Sequence, residues 1–390
     1  MNDKWKLLCG AVPEAPDWKI SWDTVFNTSL APYLIQMLET PQNPFWHEEG
    51  DVLTHTKMVC EQLTQDSEFR GLGREKQEIL FIAALMHDIG KIPCTTLEDG
   101  VWKSPNHTIV GSKMAREILW REFALAGTKE EQEIRECICN LIRFHSVPVH
   151  IAEQKNPELR IYQIAAQGEL VPMFSLHLLS ILVRADLKGR ICETVNDSLD
   201  SMELCFSMAE EEGILHKPGS FQSEAAKQAF LSGRNIWKEQ DIYDDTWGEV
   251  ILMSGLPGTG KDTWVQTHYS NLPMISLDDI RGELHISPAD NQGAVIREAK
   301  ERAKIFLRRQ QPFVWNATNL SPIIRKKQLS LFENYHARTR VVFLETDWRT
   351  NLSRNESRND AVPEHKIENM MKNLEPPERV EARTVEWHCT

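Results

Sequence analysis

Two sets of residues in this chain have the types and spacing to do chemistry. The first is GLPGTGKDTW, residues 255–264. Gly255, Pro257, Gly258, Thr259 and Gly260 form a turn whose backbone N–H groups can close around phosphate oxygens, with Lys261 reaching the β- and γ-phosphates of a nucleotide. The next position ordinarily carries a hydroxyl for magnesium. Here it is Asp262, a charged oxygen ligand, and the Thr263 hydroxyl comes one residue late. The stretch predicts a nucleotide-binding loop that uses Mg²⁺, with Asp262 among the metal ligands.

The second set is the ordered series His55, His87–Asp88, His107, His145 and Asp186. An aspartate in an apolar helix is costly to bury unless it is paired or bound to metal. Four imidazoles and two carboxylates suit one or two divalent ions such as Mn²⁺, Co²⁺, Ni²⁺ or Zn²⁺. Two such ions polarise a phosphate ester and supply a hydroxide nucleophile at neutral pH. Lys91, one turn beyond Asp88, is placed to neutralise a phosphate oxygen. His47, His150, His177 and His216 read as ordinary structural histidines, His47 being set apart only by its place just ahead of EEGD.

These residues need elements to hold them. Up to about residue 245 the pattern is helical, as in REKQEILFIAALMHDIGK and PMFSLHLLSILVRADLKGR, and strand signals are scarce. The polar, acidic stretch KEQDIYDDTWG, 238–248, reads as a linker. Beyond it EVILMSG, PMISL, PFVWNAT and TRVVFLET are short strands alternating with helical segments, which predicts a parallel sheet. The expected architecture is an all-α domain over 1–240, with accessory helices at 191–240, and an α/β phosphate-loop domain over 241–390.

An aspartate at the C-terminal end of a strand faces the active crevice of such a sheet. ISLDDIR therefore makes Asp278 a candidate general base toward an acceptor hydroxyl. In DWRTNLSRNESR, 347–358, Arg354 and Arg358 stand four apart, on one helix face, placed to clamp phosphates during transfer.

Two families share these patterns. The order His55, His87–Asp88, His107, His145, Asp186, with HDIGK and HEEGDVLTHT, resembles the HD superfamily of metal-dependent phosphohydrolases. That resemblance implies His55, His87, Asp88 and Asp186 as core ligands, with His107 and His145 on a second ion. GLPGTGK, DDIR, TNL at 318–320 and RNESR are similar to the kinase domain of phage polynucleotide kinase. The similarity implies Asp278 as general base, Arg281 on the acceptor's phosphate, Thr318 and Asn319 near the substrate, and Arg354 and Arg358 as a lid. Ala317 stands where that family has an Asp. Both halves in this order resemble the bacterial HD-Pnk end-healing enzymes, which implies an ATP- or NTP-dependent 5′-hydroxyl kinase joined to a phosphoesterase for 2′,3′-cyclic, 2′- or 3′-phosphate ends. RNA or DNA ends would be the substrate, and a nucleic-acid ligase the functional partner.

The bulk properties agree with an enzyme of this kind. A chain of 390 residues with 41% hydrophobic and 26% charged residues is long enough for two or three cores. No apolar run is long enough to span a bilayer. Eight cysteines without a CxxC pair read as reduced cytosolic thiols, placing the protein in the cytoplasm. The net charge of −13 argues against nonspecific coating of nucleic acid. Residues 1–245 carry −14 of it and residues 246–390 carry +1, so the near-neutral C-terminal part is the better candidate to meet a polyanion, over a few nucleotides. A homodimer is compatible with the sequence. Two other assignments remain open: a nucleotidase fused to a small-molecule kinase, and a nucleotide-sensing regulator with little turnover.

Overall fold

A computed structural model describes residues 2–287, 290–358 and 360–390. The chain divides into two compact units, Met1–Gly219 and Ser220–Thr390.

The first unit is helical. The helix Val52–Gln65 starts where Asp51 accepts from the Thr54 N–H at 2.8 Å, and it buries Leu53, His55, Val59 and Leu63. The helix Arg74–Met86 buries every residue from Ile79 to Met86. It stops at His87, and a tight turn leads to the short helix Lys91–Cys94. His107 opens the helix His107–Arg121. A capping box between Thr128 and Glu131 starts the helix Lys129–Phe144, which delivers His145 at its end. The helix Leu176–Lys188 carries Asp186 among buried leucines, and Gly189 after it lies close against Val59 of the His55 helix.

This unit also holds an unexpected antiparallel hairpin, β1 (Thr96–Glu98) and β2 (Val101–Lys103). Its turn is Asp99–Gly100, both at positive φ (50° and 78°), the two-residue combination that favours a tight hairpin.

The second unit is built on a parallel sheet of β3 (Glu249–Ser254), β4 (Met274–Ser276), β5 (Val314–Asn316), β6 (Arg338–Glu345) and β7 (Thr384–Cys389). The order across the sheet is β4-β5-β3-β6-β7, with the phosphate-loop strand β3 central. Strands β3 to β6 are the four expected. The edge strand β7 comes from the C-terminal stretch and buries Val385 and Trp387 in alternation.

The segment expected as a free linker is attached to this unit. Trp247 donates to the Tyr335 carbonyl at 2.7 Å, and Arg383 pairs with Asp244 at 2.5 Å. The helix Glu224–Leu231 belongs here too, ahead of the expected boundary at 240/241, because Glu224 pairs with Arg379 and Gln228 donates to the Val380 carbonyl.

Candidate active sites

The helical unit gathers all six predicted ligand residues at one point. Three imidazoles are tethered alike. His87, His107 and His145 each donate Nδ1–H to the carbonyl three residues back, on Ala84, Ser104 and Ile142, at 2.8, 3.0 and 2.8 Å. A carbonyl can only accept, so the proton sits on Nδ1 and the Nε2 lone pair points away from the tether. His55 is held by other means, with Nδ1 3.0 Å from Glu49 Oε1 and 3.3 Å from the Gly189 carbonyl.

The Nε2 atoms converge on two carboxylates. His55 Nε2 lies 3.0 Å from Asp186 Oδ1, 3.4 Å from His87 Nε2 and 3.8 Å from Asp88 Oδ2, and His87 Nε2 is 3.3 Å from that same oxygen. Across Asp88, Oδ1 faces His107 Nε2 at 3.4 Å and His145 Nε2 at 3.8 Å. Two donors each bonded at about 2.1 Å to one ion stand about 3 Å apart, so these spacings fit ligand sets waiting on ions. A second observation agrees. Asp88 Oδ1 is buried and has no hydrogen-bond partner, a costly state for a carboxylate unless an ion meets it. The residues present therefore fit two divalent ions, one among His55, His87 and Asp88, with Asp186 beside them 3.0 Å from His55 Nε2, the other among Asp88, His107 and His145.

The electrostatics fit the same role. Burial opposes charge on both carboxylates, but Lys91 beside Asp88 and Arg190 beside Asp186 hold them well below the usual range. Burial pushes the His145 imidazole down to about 3 and lowers His107 as well, which favours the neutral form that a metal ligand needs. Lys91 is itself buried, 2.7 Å from Asp88 Oδ2 and 2.7 Å from Gln42 Oε1.

Three supporting residues, Glu49, Gln42 and Arg190, were not singled out in the sequence, and they act together with His47, which stood apart only by its place ahead of EEGD. Glu49 Oε1 takes both His47 Nδ1 (2.8 Å) and His55 Nδ1. His47 is buried beside Lys91, and Gln42 fixes that lysine. Arg190 grips both oxygens of Asp186, at 3.2 and 2.6 Å. His150 and His177 pair with Glu153 and Glu68 outside this cluster.

In the second unit a cavity of about 1390 Å³ runs along the phosphate loop. Gly258 turns the loop at φ 86°, and a β-carbon there would lie 2.6 Å from the Asn351 carbonyl. Lys261 bends back onto its own loop, donating to the Gly255 and Leu256 carbonyls at 3.0 and 2.8 Å. Burial brings its ammonium down to about 8. Thr259 is buried and donates to the Leu256 carbonyl, whereas Thr263 faces the cavity.

Asp278, Arg281, Thr318, Arg354 and Arg358 line the same cavity. Three placements differ from expectation. Asp278 lies in the first turn of the helix Leu277–Leu284 rather than at the strand end, because Ser276 caps that helix and ends β4. There it pairs with Arg281 and stands 3.5 Å from Arg358 Nη2. Arg358 is beyond the helix Trp348–Glu356 rather than on its face, since buried Asn355 bonds both the carbonyl and the N–H of Val362 and draws the chain back. Asn319 is turned into the core, donating to the Met253 carbonyl at 2.7 Å, and does not line the cavity. It fixes the loop against β3, and Thr318 alone of that pair can meet a substrate. Arg354 reaches Thr390 Oγ1 at 3.0 Å, so the stretch after β7 helps shape the site.

Residues 51–166 match the HD domain family model, and residues 250–377 match the AAA domain family model. The chain carries an HD domain followed by a kinase-like P-loop domain. A solved structure from Chloroflexus aurantiacus, described as a kinase candidate, is 15% identical over 37% of this chain and 87% of that chain, with a TM-score of 0.32. Among the described residues no helix is long and apolar enough to cross a membrane.

Proposed function

We propose that the chain is a bifunctional end-healing enzyme for broken RNA or DNA. Its P-loop domain would phosphorylate 5′-hydroxyl ends, and its HD domain would hydrolyse 2′,3′-cyclic, 2′- or 3′-phosphate ends. The observation that carries this is Arg281 one helical turn from Asp278, both on the P-loop cavity. A carboxylate there suits a hydroxyl acceptor, and an arginine beside it suits an acceptor that already carries its own phosphate. A small-molecule hydroxyl needs no such arginine.

In the kinase step Asp278 takes the proton of the 5′-hydroxyl as that oxygen bonds to the γ-phosphorus. The bond from the γ-phosphorus to the β,γ-bridging oxygen breaks, and the nucleoside diphosphate leaves. Arg281 holds the phosphate flanking the acceptor. Lys261 leaves its carbonyl partners to meet the β- and γ-phosphates, and Arg354 and Arg358 balance the charge that spreads over the transferring group. Asp262 would contribute to holding Mg²⁺.

In the phosphoesterase step divalent ions, when bound, would supply Lewis acidity and activate a water. His55, His87, Asp88 and Asp186 would hold one such ion, and Asp88, His107 and His145 would hold the other. Lys91 steadies Asp88 and offsets charge where a phosphate would arrive. From a cyclic phosphate, a first water would open one P–O bond of the ring to leave a 2′- or 3′-phosphate, and a second would cleave that ester to a hydroxyl and inorganic phosphate. The resulting 5′-phosphate and 3′-hydroxyl are the ends that a ligase joins.

The test is a labelled oligoribonucleotide bearing a 5′-hydroxyl and a 2′,3′-cyclic phosphate, incubated with ATP and Mg²⁺ or Mn²⁺. Gain of 5′-phosphate and loss of the cyclic phosphate are expected. Phosphorylation of free nucleosides but not of oligonucleotides would overturn the proposal in favour of a small-molecule kinase.

A further inference from the structure

Asp262 does not cap its own helix, which has no side-chain cap. Its Oδ1 instead accepts from Asn316 Nδ2 at 2.6 Å. Asn316 is the last residue of β5, buried at 5% exposure, and its Oδ1 has no hydrogen-bond partner. Asp262, Asn316, Ala317 and Thr318 all line the phosphate-loop cavity. No acid follows Asn316 in this stretch.

P-loop enzymes hold magnesium with a loop hydroxyl and an aspartate at the end of a neighbouring strand. Here the two chemical kinds have changed places: the carboxylate is on the loop and the neutral group is on the strand. The charge of the pair is the same in both arrangements. The hydrogen bond between them makes the exchange a coupled one, because moving either group alone leaves the other without its complement.

We infer that Asp262 and Asn316 form a transposed magnesium-holding pair, in which Asn316 is a positioning residue that fixes Asp262 through one oxygen. This rests on the nucleotide-binding assignment of the phosphate loop, and it is independent of what the acceptor is. A purely structural Asn316 would fill the strand end and leave metal affinity alone.

The transposition can be reversed. Asp262→Ser with Asn316→Asp recreates the hydroxyl–carboxylate pair at the same two positions, 2.6 Å apart in hydrogen-bonding atoms now. The readout is Mn²⁺ affinity of the ADP complex, followed by electron paramagnetic resonance without turnover, with thermal melts to confirm folding. Asn316→Ala is expected to weaken Mn²⁺ about tenfold, the worth of one charge-assisted hydrogen bond, and to leave metal-free ADP binding unchanged. Asp262→Ser alone weakens Mn²⁺ at least as much, and the double variant recovers to within about threefold of the parent. Unchanged Mn²⁺ affinity in folded Asn316→Ala, or a double variant no better than Asp262→Ser, overturns the inference. Should Asn316→Ala not fold, the double variant decides alone. A parent protein that binds no ADP at all would instead overturn the nucleotide assignment.

Discussion

Gly90 lies against Gly111 so closely that a β-carbon on Gly90 would stand 2.0 Å from the His107 carbonyl and 2.5 Å from the Gly111 nitrogen. The glycine of HDIGK thus sets how near the His107 helix comes to Asp88. Gly90→Ala must push that helix away, at a cost of about 1–3 kcal/mol for overpacking. His107 would then lose its reach to Asp88 Oδ1. The expected outcome is a lower melting temperature, loss of one bound ion by elemental analysis, and phosphoesterase activity down by at least about tenfold, with kinase activity retained.

Asp88 offers one oxygen to each histidine group, whereas His145 serves only one. Asp88→Ala should therefore abolish binding of both ions, and His145→Ala of one. Equal stoichiometry in the two variants, measured on folded protein, would contradict a bridging Asp88.

The two sites share no residue and lie in separate units. Lys261→Ala should remove 5′-phosphorylation and leave phosphoesterase turnover within about twofold of the parent. His87→Ala should do the reverse. Loss of both activities from either change would defeat the two-site assignment.

Desolvation against its own loop brings the partly buried Lys261 ammonium down to about 8. A triphosphate beside it favours the charged form and raises that value. Nucleotide binding should then take up protons at pH 8.5–9, approaching about one per site, and little at pH 7, where the lysine is already charged. Affinity falls as pH rises through this window. Calorimetry in buffers of different ionisation enthalpy measures the uptake, and Lys261→Met should abolish it.

Much of this was legible in the residues because burial makes polar groups conspicuous. An aspartate among the leucines of ILVRADLKGR has few structural excuses, and it lies 3.0 Å from His55 as the ordered series implied. Strands β3 to β6 were equally plain as short apolar runs ending at Gly or polar residues. The rest failed for local reasons. Strand β7 alternates only Val385 and Trp387, too short a period-two signal to notice. Asn355 ends the helix Trp348–Glu356 early through a bond to Val362, and nothing in RNESR announces that. Glu49, Gln42 and Arg190 act across the fold on groups far away in sequence, and the Asp262–Asn316 bond joins positions on different elements.

The backward tethers of His87 and His145 have one more consequence. Ala84 and Ile142 are in the last turns of their helices, where carbonyls have no intrahelical partner. Each imidazole silences one of those orphan oxygens and is aimed in the same stroke, so the helix end serves as the mount for the ligand. Such mounts are made entirely of protein hydrogen bonds. Loading with metal is then a filling event and not a folding event, and stripping the ions with a chelator should empty the seats while the far-ultraviolet signature of the helices stays as it was.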